Sequence, residues 1–281
     1  MEIRTGYAQS GVGSGATSER QPAGDLKLYY EDMGDINAPP VLLIMGLGAQ
    51  LLLWRTGFCQ KPVDQGLRVI RYDNRDVGLS TKMEQPSARQ PLMPQLIRSW
   101  LGRRSQTPYT LEDMADDAAA LLDHLDIERA HIVGASMGGM IAQIFAARFA
   151  ERTNSLAVIF SSNNRPFLPP PAPRALLAVL NGPPPGSPRE VIIDNVVRVT
   201  RITGSPGYQP TEEWIRADAA ENYDRSYYPW GIPRQFSAVL GSGTHRGDPR
   251  TRRQADAPLR RAGRRQSHQR RPDGGIRRDG P

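Results

Sequence analysis

The residues with the clearest chemical potential form the run Gly134-Ala135-Ser136-Met137-Gly138. A serine hydroxyl is a weak nucleophile until it is held clear of the backbone and given a base. The spacing G-x-S-x-G suits a sharp strand-to-helix turn that lifts Ser136 above a sheet, with Gly134 and Gly138 small because strand and helix approach too closely for side chains. The flanking text agrees: His131-Ile132-Val133 reads as the strand and Met140 to Phe149 as an alanine-rich helix. Acyl transfer through such a serine leaves a negative oxygen, which backbone N–H groups must stabilise. Met45-Gly46-Leu47-Gly48, at the end of another apolar run, offers the N–H of Leu47. The N–H of Met137, next after the serine, offers a second.

These groups need a scaffold, and the chain spells one out. Asp25 to Asp32 alternates apolar and polar residues as a half-exposed strand, and Gly34 to Pro40 reads as a turn. Val41 to Met45 is a continuous apolar run, the condition of a strand covered on both faces, and Leu67 to Tyr72 reads as a second strand of that kind. Thr110 begins a helix, with Asp113 in its first turn and Met114, Ala118, Leu121, Leu122 and Leu125 at helical spacing. Ser155 to Phe160 is a further buried strand. The order predicts an α/β fold with a doubly wound, mostly parallel sheet. Asp73-Asn74-Arg75-Asp76-Val77-Gly78 reads as a turn closing a strand, with Asp73 and Asp76 available to backbone N–H groups and Arg75 to a carboxylate.

Four regions follow. Residues 1–24, rich in Gly, Ser and Thr, read as a disordered leader without a secretory signal. Residues 25–162 form the α/β core. Residues 163–243, with helical pieces at Arg174 to Leu180, Arg189 to Ile202 and Thr211 to Tyr223, form a helical lid. Its aromatic residues Trp214, Tyr223, Tyr227, Tyr228, Trp230 and Phe236 either line a cleft or pack, and packing is the commoner use of such spacing. Residues 244–281 are an Arg-rich tail.

Composition narrows the partners. Of the net +7, residues 245–281 hold +8, from twelve Arg and four Asp, so the rest of the chain is nearly neutral. Basicity confined to one segment without interleaved aromatics argues against nucleic-acid binding. The single Cys59 cannot form an internal disulfide, and nothing suggests a metal site. No apolar stretch is long enough to span a bilayer. These features place the protein in the cytoplasm, with peripheral association at lipid surfaces left open and the oligomeric state unassigned.

The segments L-L-I-M-G-L-G-A-Q-L-L-L-W, R-Y-D-N-R-D-V-G-L-S, Y-T-L-E-D-M-A-D-D and H-I-V-G-A-S-M-G-G-M-I-A-Q resemble the α/β-hydrolase superfamily. More narrowly they resemble carboxylesterases and lipases of the mycobacterial LipG type, which are related to aclacinomycin methylesterases. The resemblance spans about residues 25 to 243. It implies hydrolysis of small-molecule or lipid carboxylic esters through an acyl-Ser136 intermediate, without metal or organic cofactor. Many relatives carry His-Gly at the oxyanion turn; this chain has Met45-Gly46, a departure shared with the LipG-like group. Thioesterase and cofactor-free peroxidase chemistry also use serine on this fold and stay open.

The resemblance also implies a triad in the order Ser, acid, His. His124 and His131 precede Ser136, which leaves His245 and His268, and neither has the expected setting. The alternative acid position, Ser161-Ser162-Asn163-Asn164, has no carboxylate. The triad acid and base are therefore unassigned. Thr244 to Pro281 has no aromatic residue and too little apolar surface to offset its ordering entropy, so disorder is expected. Such a switch to Arg, Pro and Gly is what a shifted high-GC reading frame gives. The reading favours a frameshifted or truncated esterase whose C-terminal strands are missing over a purpose-built basic tail, and the alternative to an active ester hydrolase is a catalytically inactive truncated or frameshifted relative.

Overall fold

The computed structural model describes residues 2–10, 26–83, 101, 107–163 and 172–242. Six strands form one sheet: β1 (Ile3–Ser10), β2 (Leu26–Met33), β3 (Pro40–Ile44), β4 (Arg68–Tyr72), β5 (Ala130–Ala135) and β6 (Thr153–Ile159), in the order β1-β2-β4-β3-β5-β6. The pairs β1/β2 and β2/β4 are antiparallel, and the remaining three pairs are parallel. Three helices flank the core: α1 (Thr56–Asp64), α2 (Leu111–His124) and α3 (Met137–Arg148). Four more follow β6: α4 (Pro173–Leu180), α5 (Arg189–Thr203), α6 (Glu212–Arg225) and α7 (Gly231–Gly241). This is the α/β architecture read from the sequence, with a mostly parallel sheet.

The apolar runs are continuous because both faces of the central strands are covered. Val41 and Leu43 pack with Cys59 of α1, whereas Leu42 and Ile44 pack with Met114 and Leu121 of α2 and with Ile141 and Phe145 of α3. Helix α2 starts where the sequence says it should. Thr110 Oγ1 accepts from the N–H of Asp113, and the Asp113 carboxylate accepts from the N–H of Thr110 at 2.8 Å, a reciprocal cap.

Strand β3 has β4 on one side and β5 on the other, so the chain reverses its direction of travel across the sheet between them. Crevices open at the carboxyl ends of strands at such a switch point. Met45-Gly46 leaves β3 there and Ser136 leaves β5 there.

Strand β6, read as buried over Ser155 to Phe160, is exposed from residue 154 to 158, and three further regions differ from the sequence reading. Residues 3–10 are not a disordered leader but strand β1, paired with β2 over its whole length. The signal was hidden because the inward positions, Arg4, Gly6, Ala8 and Ser10, are small or polar, while Ile3 and Tyr7 face outward. Helix α1 was unforeseen, its text broken by Gly57 and Pro62. Helix α7 fell within the expected lid, yet its Arg234, Gln235 and Ala238 are buried and Ala238 joins the main core cluster. The Arg-rich tail, the leader from residue 11 to 24, and residues 164–171 lie outside the described residues.

Candidate active site

Ser136 stands between β5 and α3 with φ 54° and ψ −122°, a conformation that L-residues rarely adopt. Such backbone strain costs on the order of 1–3 kcal/mol and survives only where neighbours enforce it. Both backbone groups of Ser136 are tied. Its N–H donates to the carbonyl of Ile159 on β6 at 3.0 Å. Its carbonyl accepts from Ser161 Oγ at 2.6 Å and from the N–H of Gly139 at 2.9 Å. The side chain is thereby turned out of both the strand and the helix.

The glycines around it are required by close approach. A Cβ on Gly134 would fall on the Gly138 backbone, and one on Gly138 on the backbone of Ile44. Across the crevice, a Cβ on Gly46 would lie 3.0 Å from Ser136 Cβ and 3.5 Å from Oγ, so the turn after β3 and the serine hydroxyl share one small space.

That turn runs Gly46-Leu47-Gly48-Ala49. The N–H of Ala49 donates to the Gly46 carbonyl at 3.3 Å, and Gly48 takes φ +66° at the third position. These are the marks of a turn that needs glycine there and leaves the N–H of Leu47 pointing away from the ring it closes. Among the described residues the Leu47 N–H has no acceptor. The N–H of Met137, the first residue of α3, has none either, as expected of an amide in the opening turn of a helix.

The turn is gripped from both sides. Asn74 Nδ2 donates to the Met45 carbonyl at 2.8 Å. Gln235 Oε1 accepts from the Gly48 N–H at 2.7 Å, while Gln235 Nε2 donates to the Arg75 carbonyl at 2.8 Å. Asn74 sat inside a motif read as scaffold; Gln235 carried no sequence signal at all, because its partner is 187 positions away.

The motif after β4 is the scaffold its sequence suggests. Asp73 accepts from the amides of Leu51 and Leu79 and pairs with Arg225 at 2.8 Å. Burial pushes the Asp73 carboxyl up, against the pull of Arg225 and those amides. Asp76 accepts from the Met83 N–H, the Tyr109 hydroxyl and Arg234. Arg75 holds Asp117 through two contacts of 2.7 Å. Several lid aromatics are packed: Tyr223 stacks on Tyr227, and the Tyr228 hydroxyl donates to the Met83 carbonyl and accepts from Arg234.

Neither described histidine reaches Ser136. His124 sits 3.5 Å from the Tyr30 hydroxyl, and His131 Nδ1 meets Ser155 Oγ at 2.8 Å. His245 and His268 lie outside the described residues. Among the described residues no group of three or more His, Cys, Asp or Glu could hold a metal ion, and no helix is long and apolar enough to cross a membrane.

Comparison with known proteins agrees with the fold. Residues 39–236 match the model of the alpha/beta hydrolase fold family. The chain is 32% identical over 135 residues to rhodomycin D methylesterase DnrP of Streptomyces peucetius, covering 48% of this chain and 39% of that protein. It is 30% identical over 136 residues to 3-oxoadipate enol-lactonase 2 of Acinetobacter baylyi, covering 48% and 42%. The matches thus span about two fifths of these relatives' lengths. Among solved structures, the 2-hydroxy-6-oxo-6-phenylhexa-2,4-dienoate hydrolase of Rhodococcus sp. strain RHA1 superposes with a TM-score of 0.57 at 20% identity, over 85% of this chain and 72% of that one. Sheet order, elbow and matched residues together make this chain a member of the α/β-hydrolase fold family.

Proposed function

We propose that this protein hydrolyses carboxylic esters through an acyl intermediate on Ser136, with the N–H groups of Leu47 and Met137 holding the oxyanion. The observation that carries the reading is the enforced conformation of Ser136, φ 54° with both backbone groups bonded, beside Gly46, where a Cβ would lie 3.5 Å from its Oγ. The methylesterase and the enol-lactonase among its relatives point to the same bond type. Ser136 Oγ attacks the acyl carbon and gives its proton to a base; the tetrahedral oxyanion collapses and the alcohol leaves with that proton. Water then repeats the sequence on the acyl-serine and releases the acid. The chemistry requires neither a metal nor an organic cofactor. The substrate is a small-molecule or lipid ester, handled in the cytoplasm, and the motifs around Ser136 resemble those of esterases and lipases of the LipG type.

A second reading has its own support. Of four histidines, the two described ones are engaged elsewhere, so the base is His245, His268 or nothing in this chain. With no base the protein is a catalytically silent relative that keeps the elbow.

One experiment separates the two: fluorophosphonate labelling of the full chain beside Ser136→Ala, His245→Gln and His268→Gln, with p-nitrophenyl ester turnover. Labelling and turnover lost in Ser136→Ala and in one histidine variant support the hydrolase. Soluble, folded protein that neither labels nor turns over overturns it in favour of the silent relative.

A further inference from the structure

We propose that Gln235 is a positioning residue through which helix α7 sets the geometry of the oxyanion turn, so that an element after β6 governs the reactivity of Ser136. The inference rests on the ester-hydrolase reading above.

The turn has two legs, and they are held differently. The upstream leg belongs to the core: the Met45 carbonyl is fixed by Asn74, which follows β4. The downstream leg belongs to the elements after β6. Gly48 hangs by its N–H from Gln235 on α7, and a Cβ on Gly48 would lie 2.8 Å from Cγ1 of Ile232 on the same helix. Gln50, two residues on, donates through Nε2 to the carbonyls of Asn222 and Ser226 at the end of α6 and accepts from Arg225. The peptide that presents the Leu47 N–H lies between these legs.

Gln235 suits this role chemically. It is fully buried, and a buried amide is costly unless both ends are used. Here the acceptor end takes the Gly48 N–H and the donor end bonds the Arg75 carbonyl. Arg75 precedes Asp76, whose carboxylate is gripped by Arg234, the neighbour of Gln235 on α7. Helix α7 is therefore anchored on the core loop by two consecutive side chains, and one of them relays that anchorage to the turn. A displacement of α7 moves Gly48, and with it the Leu47 peptide. Oxyanion donors misplaced by a fraction of an ångström lose most of their effect.

The test uses the full chain with Gln235→Met, which keeps the side-chain length and removes both hydrogen bonds. Gln235→Asn, a milder retraction of the acceptor that keeps the amide, serves if the first does not fold. Hydrogen exchange over residues 45–53 and the kcat and KM of p-nitrophenyl esters are read together. Gln235→Met should speed exchange at the turn by roughly tenfold or more and lower kcat by about 10- to 100-fold with KM within about twofold, while Gln235→Asn shows the same split to a smaller degree. A merely structural glutamine would lower stability without that split. Unchanged exchange at residues 45–53 in folded Gln235→Met overturns the proposal, as does a parent-like kcat. If the parent chain itself neither labels nor turns over, the hydrolase reading fails separately, and the exchange result alone decides whether Gln235 holds the turn.

Discussion

Ser161 Oγ donates to the carbonyl of Ser136 at 2.6 Å, so a residue two positions beyond β6 helps to hold the strained elbow at the end of β5. Loss of one such bond costs roughly 0.5–1.5 kcal/mol where a second donor remains, and here the Gly139 N–H remains. Ser161→Ala should therefore fold with a small drop in its urea midpoint, and the fluorophosphonate labelling rate should fall several-fold as Ser136 gains freedom. A labelling rate equal to that of the parent would show that the remaining bonds hold the elbow alone.

Gly46 tests the crevice from the other side. A methyl group there meets Ser136 Cβ at 3.0 Å and the Ala135 carbonyl at 3.2 Å, close enough to force a shift of a few tenths of an ångström. Gly46 has no positive φ, so Gly46→Ala carries little conformational cost. Its effect should fall on chemistry: about tenfold or more lost from kcat/KM, with the melting temperature nearly unchanged. A large fall in melting temperature with kcat/KM intact would place the constraint in packing instead.

Arg75 and Asp117 form a buried pair, 9% and 2% exposed, to which the Ser10 hydroxyl also donates. Removing one partner of such a pair leaves an uncompensated charge and costs about 3–5 kcal/mol. Asp117→Ala should show that loss in urea unfolding, and Arg75→Met with Asp117→Leu should recover much of it. A loss under about 1 kcal/mol in the single variant would mean that water reaches the guanidinium.

How far the sequence spoke depends on how local each feature is. The elbow was legible because Gly134, Ser136 and Gly138 are neighbours whose spacing itself encodes the turn. Helix α2 was legible because Thr110 and Asp113 cap it within one turn. Strand β1 was not, since its outward face is the more apolar one and its order comes from partners distant in sequence, β2 beside it and α2 beneath it. Gln235 and Asn74 escaped notice because their work is done on partners 187 and 29 positions away. The base stays open for a simpler reason: the two histidines left to supply it lie outside the described residues.

Cys59 is fully buried beside Trp54, whose carbonyl accepts from its thiol. Burial pushes the thiol above its ordinary value of 9.0. The native protein should accordingly resist a disulfide-exchange reagent at mildly alkaline pH and react fully once unfolded. Because the folded thiol keeps its proton longer than the unfolded one, this group favours folding below its ordinary value. That contribution is lost as pH rises from there through the raised folded value. Rapid reaction of one thiol in the native state would mean that α1 opens readily.

Strand β6 is the feature most exposed to trouble. Among the described residues nothing pairs with its outer edge, and Leu156 and Val158 are 40% and 41% exposed. From Thr153 to Asn163 there is no charged residue, and natural edge strands usually carry a charge or proline that blocks pairing with another chain. Val158→Lys adds that charge at a position where surface substitutions shift stability by only about 0.5 kcal/mol. It should therefore slow the growth of light scattering on warming and leave the melting temperature within a few degrees of the parent. Scattering that grows at the parent's rate would show that this edge is not the route of self-association. A large loss of stability would show that Val158 carries packing and is not a free edge position. Both effects can be read from the same heating run, with scattering and circular dichroism recorded side by side.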